Sequence, residues 1–262
     1  MNLRRGARLE AGESVLFIDR KEREYLKVLR PGARFLIRGG KIEYDAIIGL
    51  EEGSRVASSL NEAFIVLRPT YAQLVRNLPR SAQVIYPKDT GLILLWGDVF
   101  PGATVIESGV GPGALTIALL RAVGEGGRLV SYENREDFAE MARGNVARFL
   151  GDAPQWQLRI GDVYEGIAER DVDRVVLDLP EPWRVVDHAA KALRPGGVFV
   201  AYVPTVLQVK SLVDELQRHA DFGMVETFES WMRFWHVRAI SVRPEHRMVA
   251  HTGFLTVARR LR

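Results

Sequence analysis

The chain of 262 residues contains no cysteine. That excludes disulfide staples, thiolate nucleophiles and cysteine-ligated metals. Histidine is scarce, five residues at 188, 219, 236, 246 and 251, and their intervals give no metal-ligand spacing. No run approaches the roughly 18 apolar residues of a membrane span, and the opening MNLRRGARLEAG lacks the apolar core of a secretion signal. Charge of either sign is nearly balanced, for a net of +3, with 47% hydrophobic and 26% charged residues. The expectation is a cytoplasmic, metal-free, soluble protein, long enough for one full α/β domain and a small extra one. Internal repeats and low-complexity tracts are absent as well.

The balance hides an uneven distribution. Residues 1–80 hold 15 Lys or Arg against 10 Asp or Glu, residues 81–262 hold 21 against 23, and the last 20 residues carry five Arg and one Glu. A basic surplus at both ends is a footprint that a phosphate backbone can use, or simply a solvated Arg-rich surface.

What is there centres on residues 101–133, PGATVIESGVGPGALTIALLRAVGEGGRLVSYE. The pattern predicts a buried strand at 103–107, a tight loop with glycines at 109, 111 and 113, an apolar helix at 114–123 ended by Gly124, and a second strand at 129–132 that delivers Glu133. This is the nucleotide-binding half of a doubly wound sheet, whose ligands sit outside the carboxyl ends of the strands. Glycine lets the backbone turn sharply and approach a ligand, and the helix start presents free N–H groups. Glu133, 24 residues past Gly109, is placed to accept from a ribose diol. Gly109, Gly111 and Ala114 satisfy the dinucleotide fingerprint G-x-G-x-x-G/A. Two details favour S-adenosylmethionine instead. Glu107 repels a pyrophosphate but attracts a sulfonium or, through water, an ammonium group, and Pro112 removes one amide from a phosphate cradle. A glycine turn that only packs helix on sheet is the structural alternative.

Upstream, the β-type runs SVLFID, ARFLIR, AIIGL and AFIVL within residues 13–66 predict a small antiparallel β-domain over 1–67. Its Arg30, Arg34 and Arg38 suit nucleic-acid backbone contacts, and oligomerisation is the domain's other use. Residues 68–82 read as a connector helix between Pro69 and Pro79, leading into the main domain at 83–262. In QVIYPKDTGLILLWGDV, Asp89 is a plausible N-cap for a helix at 91–95, and the Tyr86 turn either folds over the cofactor or is an ordinary cap and turn.

Downstream, REDFAEMARGNVARFL is amphipathic, and 156–160 is the third strand, with Gly161-Asp162 at its end. An acid there binds an adenine amino group or is a solvated loop residue. DRVVLDLPEPW places Asp178 after the apolar run 175–177, and Pro180 and Pro182 stiffen its loop. A carboxylate held so at the sheet edge is a catalytic candidate as well as a capping one. Pro182 opens a helix at 183–193 closed by Gly196 and Gly197, and VFVAYVP brings Tyr202 and Pro204 to the same edge. Helix 205–219 buries Val206, Val209, Leu212, Val213 and Leu216, and two last strands, MVETFESW and GFLTVARR, flank a long polar loop at 238–252. That closing pair, with no sixth crossover helix, matches the seven-stranded sheet of S-adenosylmethionine methyltransferases rather than a dehydrogenase.

With YPKD at 86–89, ESGVGPGALT at 107–116, YENR at 132–135, DLPEPW at 178–183, AYVPT at 201–205 with Gln208, and HTGF at 251–254, the chain resembles the bacterial and archaeal tRNA (adenine-58-N1)-methyltransferases from about Tyr71 onward. The resemblance implies that Glu107 and the loop Gly109, Gly111, Pro112, Gly113, Ala114 and Leu115 line the methionine part of S-adenosylmethionine. It implies that Glu133 holds the ribose, Asp162 with Val163 the adenine, and Asp178 both borders the donor and is the catalytic carboxylate. It further implies that Tyr202, catalytic alongside Asp178, and Tyr86 shape the target-base pocket with Pro204 and His251, that tRNA is the partner, and that the enzyme is a metal-free homotetramer. The loop residues Val110-Gly111-Pro112 are less polar than is common in that family, and Thr205 stands where Asn occurs. Rival readings are a nicotinamide-dependent oxidoreductase, a non-catalytic tRNA-binding subunit, and a methyltransferase for another base or a small molecule.

Overall fold

The computed structural model describes residues 8–38, 40–78 and 83–262. The start of the chain, with Arg4 and Arg5, and the 79–82 end of the expected connector, with Pro79, lie outside the described residues. The chain divides into two compact units, Met1–Ser81 with Gly144–Ala153, and Ala82–Arg143 with Pro154–Arg262.

The first unit contains β1 (Ser14–Asp19), β2 (Glu24–Val28), β3 (Arg34–Ile37), β4 (Gly40–Glu43), β5 (Arg55–Ala57) and β6 (Ala63–Leu67). Antiparallel pairing gives the order β2-β1-β6-β5, with β3 and β4 as a separate hairpin. Phe17, Phe35, Tyr44 and Phe64 fill the core, with Phe17 stacked 6.2 Å from Tyr44 and edge-on to Phe64 at 6.5 Å. AIIGL, expected as a strand, is instead a 3₁₀ turn at Tyr44–Ala46 followed by a bend that plugs Ile47 into this core. The missed strand β2, EYLKV, is only half-buried throughout, so its apolar pattern is weak. Helix α1 (Tyr71–Asn77) starts at a capping box in which Thr70 accepts from the Gln73 amide.

The second unit is an α/β domain around a seven-stranded sheet. Its helices and strands are α2 (Pro87–Trp96), β7 (Thr104–Ser108), α3 (Ala114–Val123), β8 (Arg128–Glu133), α4 (Glu136–Leu150), whose second half from Gly144 is assigned to the first unit, β9 (Trp156–Ile160), β10 (Val172–Leu177), α5 (Val186–Ala192), β11 (Leu193–Val203), α6 (Val206–Arg218), β12 (Phe222–Phe228), β13 (Trp235–Arg238), β14 (Ser241–Pro244) and β15 (Phe254–Arg260). The order is β12-β15-β11-β10-β7-β8-β9. The run from β11 to β9 is parallel, and β15 inserts antiparallel between β11 and β12. The chain leaves β7 for β8 on one side and returns to β10 on the other. That reversal is the topological switch point at which such sheets bind ligands. β7 is buried along nearly its whole length, and α3 is almost wholly buried against β7 and β8, which is why both read as continuous apolar runs.

The second unit departs from the sequence expectations at four places. Asp89 is not an N-cap: α2 begins at Pro87, whose fixed φ suits a first helical position, and Tyr86 holds the cap position. The helix expected at 183–193 is a 3₁₀ turn, Pro182–Val185, followed by α5, and Arg194 to Gly197 belong to the start of β11. Val206 is 68% exposed, because α6 buries Leu212 and Leu216 while its first turn projects into solvent. The polar loop at 238–252 begins inside a hairpin, β13 with β14, paired from Trp235↔Pro244 to Arg238↔Ser241.

Candidate active site

The site is built on two neighbouring strands. Ser108 pairs with Leu177, and the Asp178 amide donates to the Ser108 carbonyl at 2.9 Å, so the loops after β7 and β10 lie side by side. Gly109 makes this possible: at φ +88, a Cβ on it would lie 2.0 Å from the Asp178 carbonyl oxygen. Gly113 (φ +83) performs the same service for α3, since its Cβ would press on Ala142 at 3.2 Å. Gly111 (φ +51) faces open space. The loop is thus tight against protein on two sides and open at its middle, the shape a ligand needs for close backbone approach. Val110, Pro112, Ala114 and Leu115 are buried behind it.

Three carboxylates surround the loop. Glu107 is fully buried; the Thr116 hydroxyl donates to it at 2.9 and 3.0 Å and the Ser131 hydroxyl at 2.5 Å. Burial pushes its pKa up to about 7; those two hydroxyls oppose the shift, and the charges of Asp178 and Glu133 add to it. Glu133, at the end of β8, accepts from the Gly111 amide at 3.1 Å and the Arg135 amide at 3.1 Å. Asp178 is half-buried, and loss of water around its carboxylate alone raises it to about 7. Asp162 accepts from the Tyr164 amide at 2.9 Å and lines a separate cavity of about 560 Å³, with Tyr132, Arg159 and His188, while Val163 sits in the core.

Asp178 also borders a cavity of about 370 Å³, together with Tyr86, Tyr202, Pro204, His251 and Thr252. Five of the residues singled out in the sequence therefore meet in one space. Tyr202 is buried at the end of β11, and its hydroxyl points to Asp89 Oδ2 at 3.4 Å. His251 is hydrogen-bonded through Nδ1 to Glu229 at 2.9 Å and through Nε2 to the Pro204 carbonyl at 2.8 Å. The Glu229 carboxylate first, and that carbonyl second, raise the His251 pKa and favour its protonated form. Gln208 ties α6 to the loop after β10 by donating to the Pro180 carbonyl at 2.9 Å. Sequence reasoning missed Thr116 and Ser131, the hydroxyls that hold Glu107. Their signal was a lone polar residue in each of two apolar runs. It also missed Lys88, Ser230 and Thr252, which gather around Asp89.

A doubly wound seven-stranded sheet with an open glycine loop, acids at the ends of β7 and β8, and an adjoining aromatic cavity defines an S-adenosylmethionine-dependent methyltransferase. The chain belongs to a tRNA methyltransferase family: residues 63–243 match the family model described as the tRNA methyltransferase complex GCD14 subunit, and residues 8–56 match that of the TrmI-like N-terminal region. It is 37% identical over 252 residues to the tRNA (adenine(58)-N(1))-methyltransferase TrmI of Thermus thermophilus, covering 94% of this chain and 96% of that one. It is 34% identical over 259 residues to the tRNA (adenine(57)-N(1)/adenine(58)-N(1))-methyltransferase TrmI of Methanocaldococcus jannaschii, covering 87% and 92%. Among solved structures, a SAM-dependent O-methyltransferase from Thermotoga maritima superposes with a TM-score of 0.92 at 32% identity, covering 98% of this chain and 96% of that one. The tRNA (m1A58) methyltransferase TrmI of Aquifex aeolicus gives 0.83 at 27%, covering 97% and 99%.

Proposed function

We propose that the protein transfers a methyl group from S-adenosylmethionine to N1 of adenine 58 in the T-loop of tRNA. The observation that carries this reading is Asp178, a carboxylate that abuts the glycine loop on one side and borders the aromatic cavity on the other. One wall takes the donor and the other the base.

The donor's fit rests on the open face at Gly111 and on acids that suit a cation and a diol. In this reading Gly109, Gly111, Pro112, Gly113, Ala114 and Leu115 form its methionine cradle and Asp178 borders it. Glu107 supplies negative charge from beneath, Glu133 holds the ribose, and Asp162 with Val163 holds the adenine. The bound donor supplies an electrophilic methyl group. Tyr86, Tyr202, Pro204 and His251 receive a target base that has left its stack, and stacking on Tyr202 offsets part of the few kcal/mol that flipping costs. Adenine N1 is already a nucleophile, so alignment supplies most of the acceleration, up to roughly 7–11 kcal/mol in ideal cases. Methylation leaves a cationic ring. Asp178 counters that charge at its carboxylate or accepts a proton there from the 6-amino group, a role worth about 10²- to 10⁴-fold.

Around this site we assign residues 1–67 as the small β-domain, 68–82 as the connector and 83–262 as the methyltransferase domain, working in the cytoplasm as a metal-free homotetramer. The β13–β14 hairpin supports assembly, because Trp235, Val237, Ile240 and Val242 lie exposed on a two-stranded arm. Arg30, Arg34 and Arg38 are exposed and suit phosphate contacts, although Arg34 lies 4.0 Å from Glu43. Of the five C-terminal arginines, Arg243 donates to the Pro244 carbonyl at 3.2 Å, Arg259 donates to the Gly196 carbonyl at 2.7 Å and Arg260 pairs with Asp221 at 3.0 Å, which leaves Arg247 and Arg262 better placed for RNA. The test is incubation of unmodified tRNA with isotope-labelled donor, followed by nucleoside mass spectrometry and mapping of positions 57 and 58. The expected product is 1-methyladenosine at 58, lost when that base is replaced by guanine; label elsewhere, or none, refutes the reading.

A further inference from the structure

The Lys88–Asp89 pair at the start of α2 is buried, with side chains 9% and 6% exposed. Lys88 Nζ donates to Asp89 Oδ1 at 2.7 Å, to the Ser230 carbonyl at 2.8 Å and to the Thr252 hydroxyl at 2.7 Å. Asp89 in turn accepts from the Ser230 hydroxyl at 2.9 Å and the Thr252 hydroxyl at 2.7 Å, and the Tyr202 hydroxyl points at it from 3.4 Å. Neighbouring Gly253 passes so close to Tyr202 that a Cβ on it would lie 2.4 Å from the ring's Cζ. One buried ion pair thus gathers three separate chain segments behind the ring that walls the cavity. A buried pair is costly to desolvate and is poor evidence for stability by itself, so a specific placement is the better account of its presence.

We propose that the Lys88–Asp89 pair is a positioning device for Tyr202. By taking the phenol hydroxyl on the far side of the ring, Asp89 turns the ring face to the cavity and keeps the hydroxyl out of proton transfer at the base. Tyr202 is then a stacking wall, and Asp178 is left as the cavity's proton acceptor. The inference rests on reading the cavity as the target-base pocket. Its cost when lost is that of a misplaced stacking platform, about 5- to 100-fold in kcat/KM for the RNA.

The test is a double-mutant cycle of Asp89→Asn with Tyr202→Ala, assayed as kcat/KM for tRNA and as donor affinity by calorimetry. Asp89→Asn lowers kcat/KM by about fivefold or more in the natural background and less than twofold in the Tyr202→Ala background, with donor affinity unchanged in both. Equal losses in the two backgrounds overturn the proposal, because a merely structural role does not depend on the ring. If Asp89→Asn does not fold, Lys88→Gln enters the same cycle with the same two outcomes. A second readout needs no substrate: with ¹³C-labelled tyrosine, seven residues in all, the nuclear Overhauser effects between the Tyr202 ring and Gly253, which lie in close contact, weaken in the free protein on Asp89→Asn. Unchanged effects overturn the positioning role, whereas natural protein that methylates no tRNA overturns the pocket reading alone.

Discussion

Glu107→Gln separates what the buried acid costs from what it does. The carboxylate is fully enclosed, and burial raises it to about 7 although Ser131 and Thr116 donate to it. An acid with a raised folded-state pKa holds a proton that the unfolded chain has already released. Its contribution is therefore fully present below the ordinary glutamate pKa, is lost as pH rises to about 7, and stays lost above. The span corresponds to about 3 kcal/mol. Glutamine carries no charge at any pH in that range and keeps an oxygen for the two hydroxyls, with about 1 kcal/mol lost to its poorer hydrogen bonds. The variant is therefore expected to be about 1 kcal/mol less stable than the natural protein at pH 4.5, and about 2 kcal/mol more stable at pH 8. Urea titrations of both proteins across that range, followed by the combined fluorescence of the five tryptophans, among them Trp156, whose Nε1 donates to Ser131 at 2.9 Å, measure this difference. Asp178 titrates in both proteins, so its own desolvation cancels in the difference, which reports Glu107 together with its repulsion from Asp178 and Glu133. A difference independent of pH refutes the reasoning. Donor affinity is expected to fall in the same variant, since the stabilising change removes charge beneath the proposed donor site.

Gly109→Ala is expected to abolish donor binding and to lower the unfolding temperature, because its Cβ lands 2.0 Å from the Asp178 carbonyl oxygen in a left-handed turn; calorimetry showing near-natural donor affinity would contradict that close approach. The pH dependence of methyl transfer follows from Asp178: only the ionised carboxylate counters a cationic ring, so the rate is expected to rise as pH climbs through about 7 and then level off. A rate already flat from pH 5.5 upward would refute it.

The parts legible in the sequence are those where one local rule dominates. Helix α3 runs from Ala114 to Val123 as expected, because a glycine loop precedes an unbroken apolar run and Gly124 ends it. Strand β9 likewise matches its expected bounds, Trp156–Ile160. Tertiary context decided the rest. AIIGL has strand composition, yet the β-domain uses Ile47 as a plug beneath its aromatic core. β13 and β14 turn through Arg238 to Ser241 with no Asn-Gly or Asp-Gly signal, so their hairpin was invisible. Asp89 has the composition of a cap, but its partners Ser230 and Thr252 lie 141 and 163 residues away in the chain. The acids of the candidate site were legible because each lies at or next to the carboxyl end of a parallel strand. Their states were not, because they depend on how far the fold excludes water from Glu107 and Asp178.

The most direct measurement is single-turnover transfer to tRNA by Asp178→Asn, with donor affinity determined in parallel. The account predicts that the donor binds within about threefold of the natural protein while the transfer step slows by about 10²- to 10⁴-fold and loses its dependence on pH near 7. A transfer rate unchanged by the substitution, or a loss explained wholly by donor affinity, would contradict it.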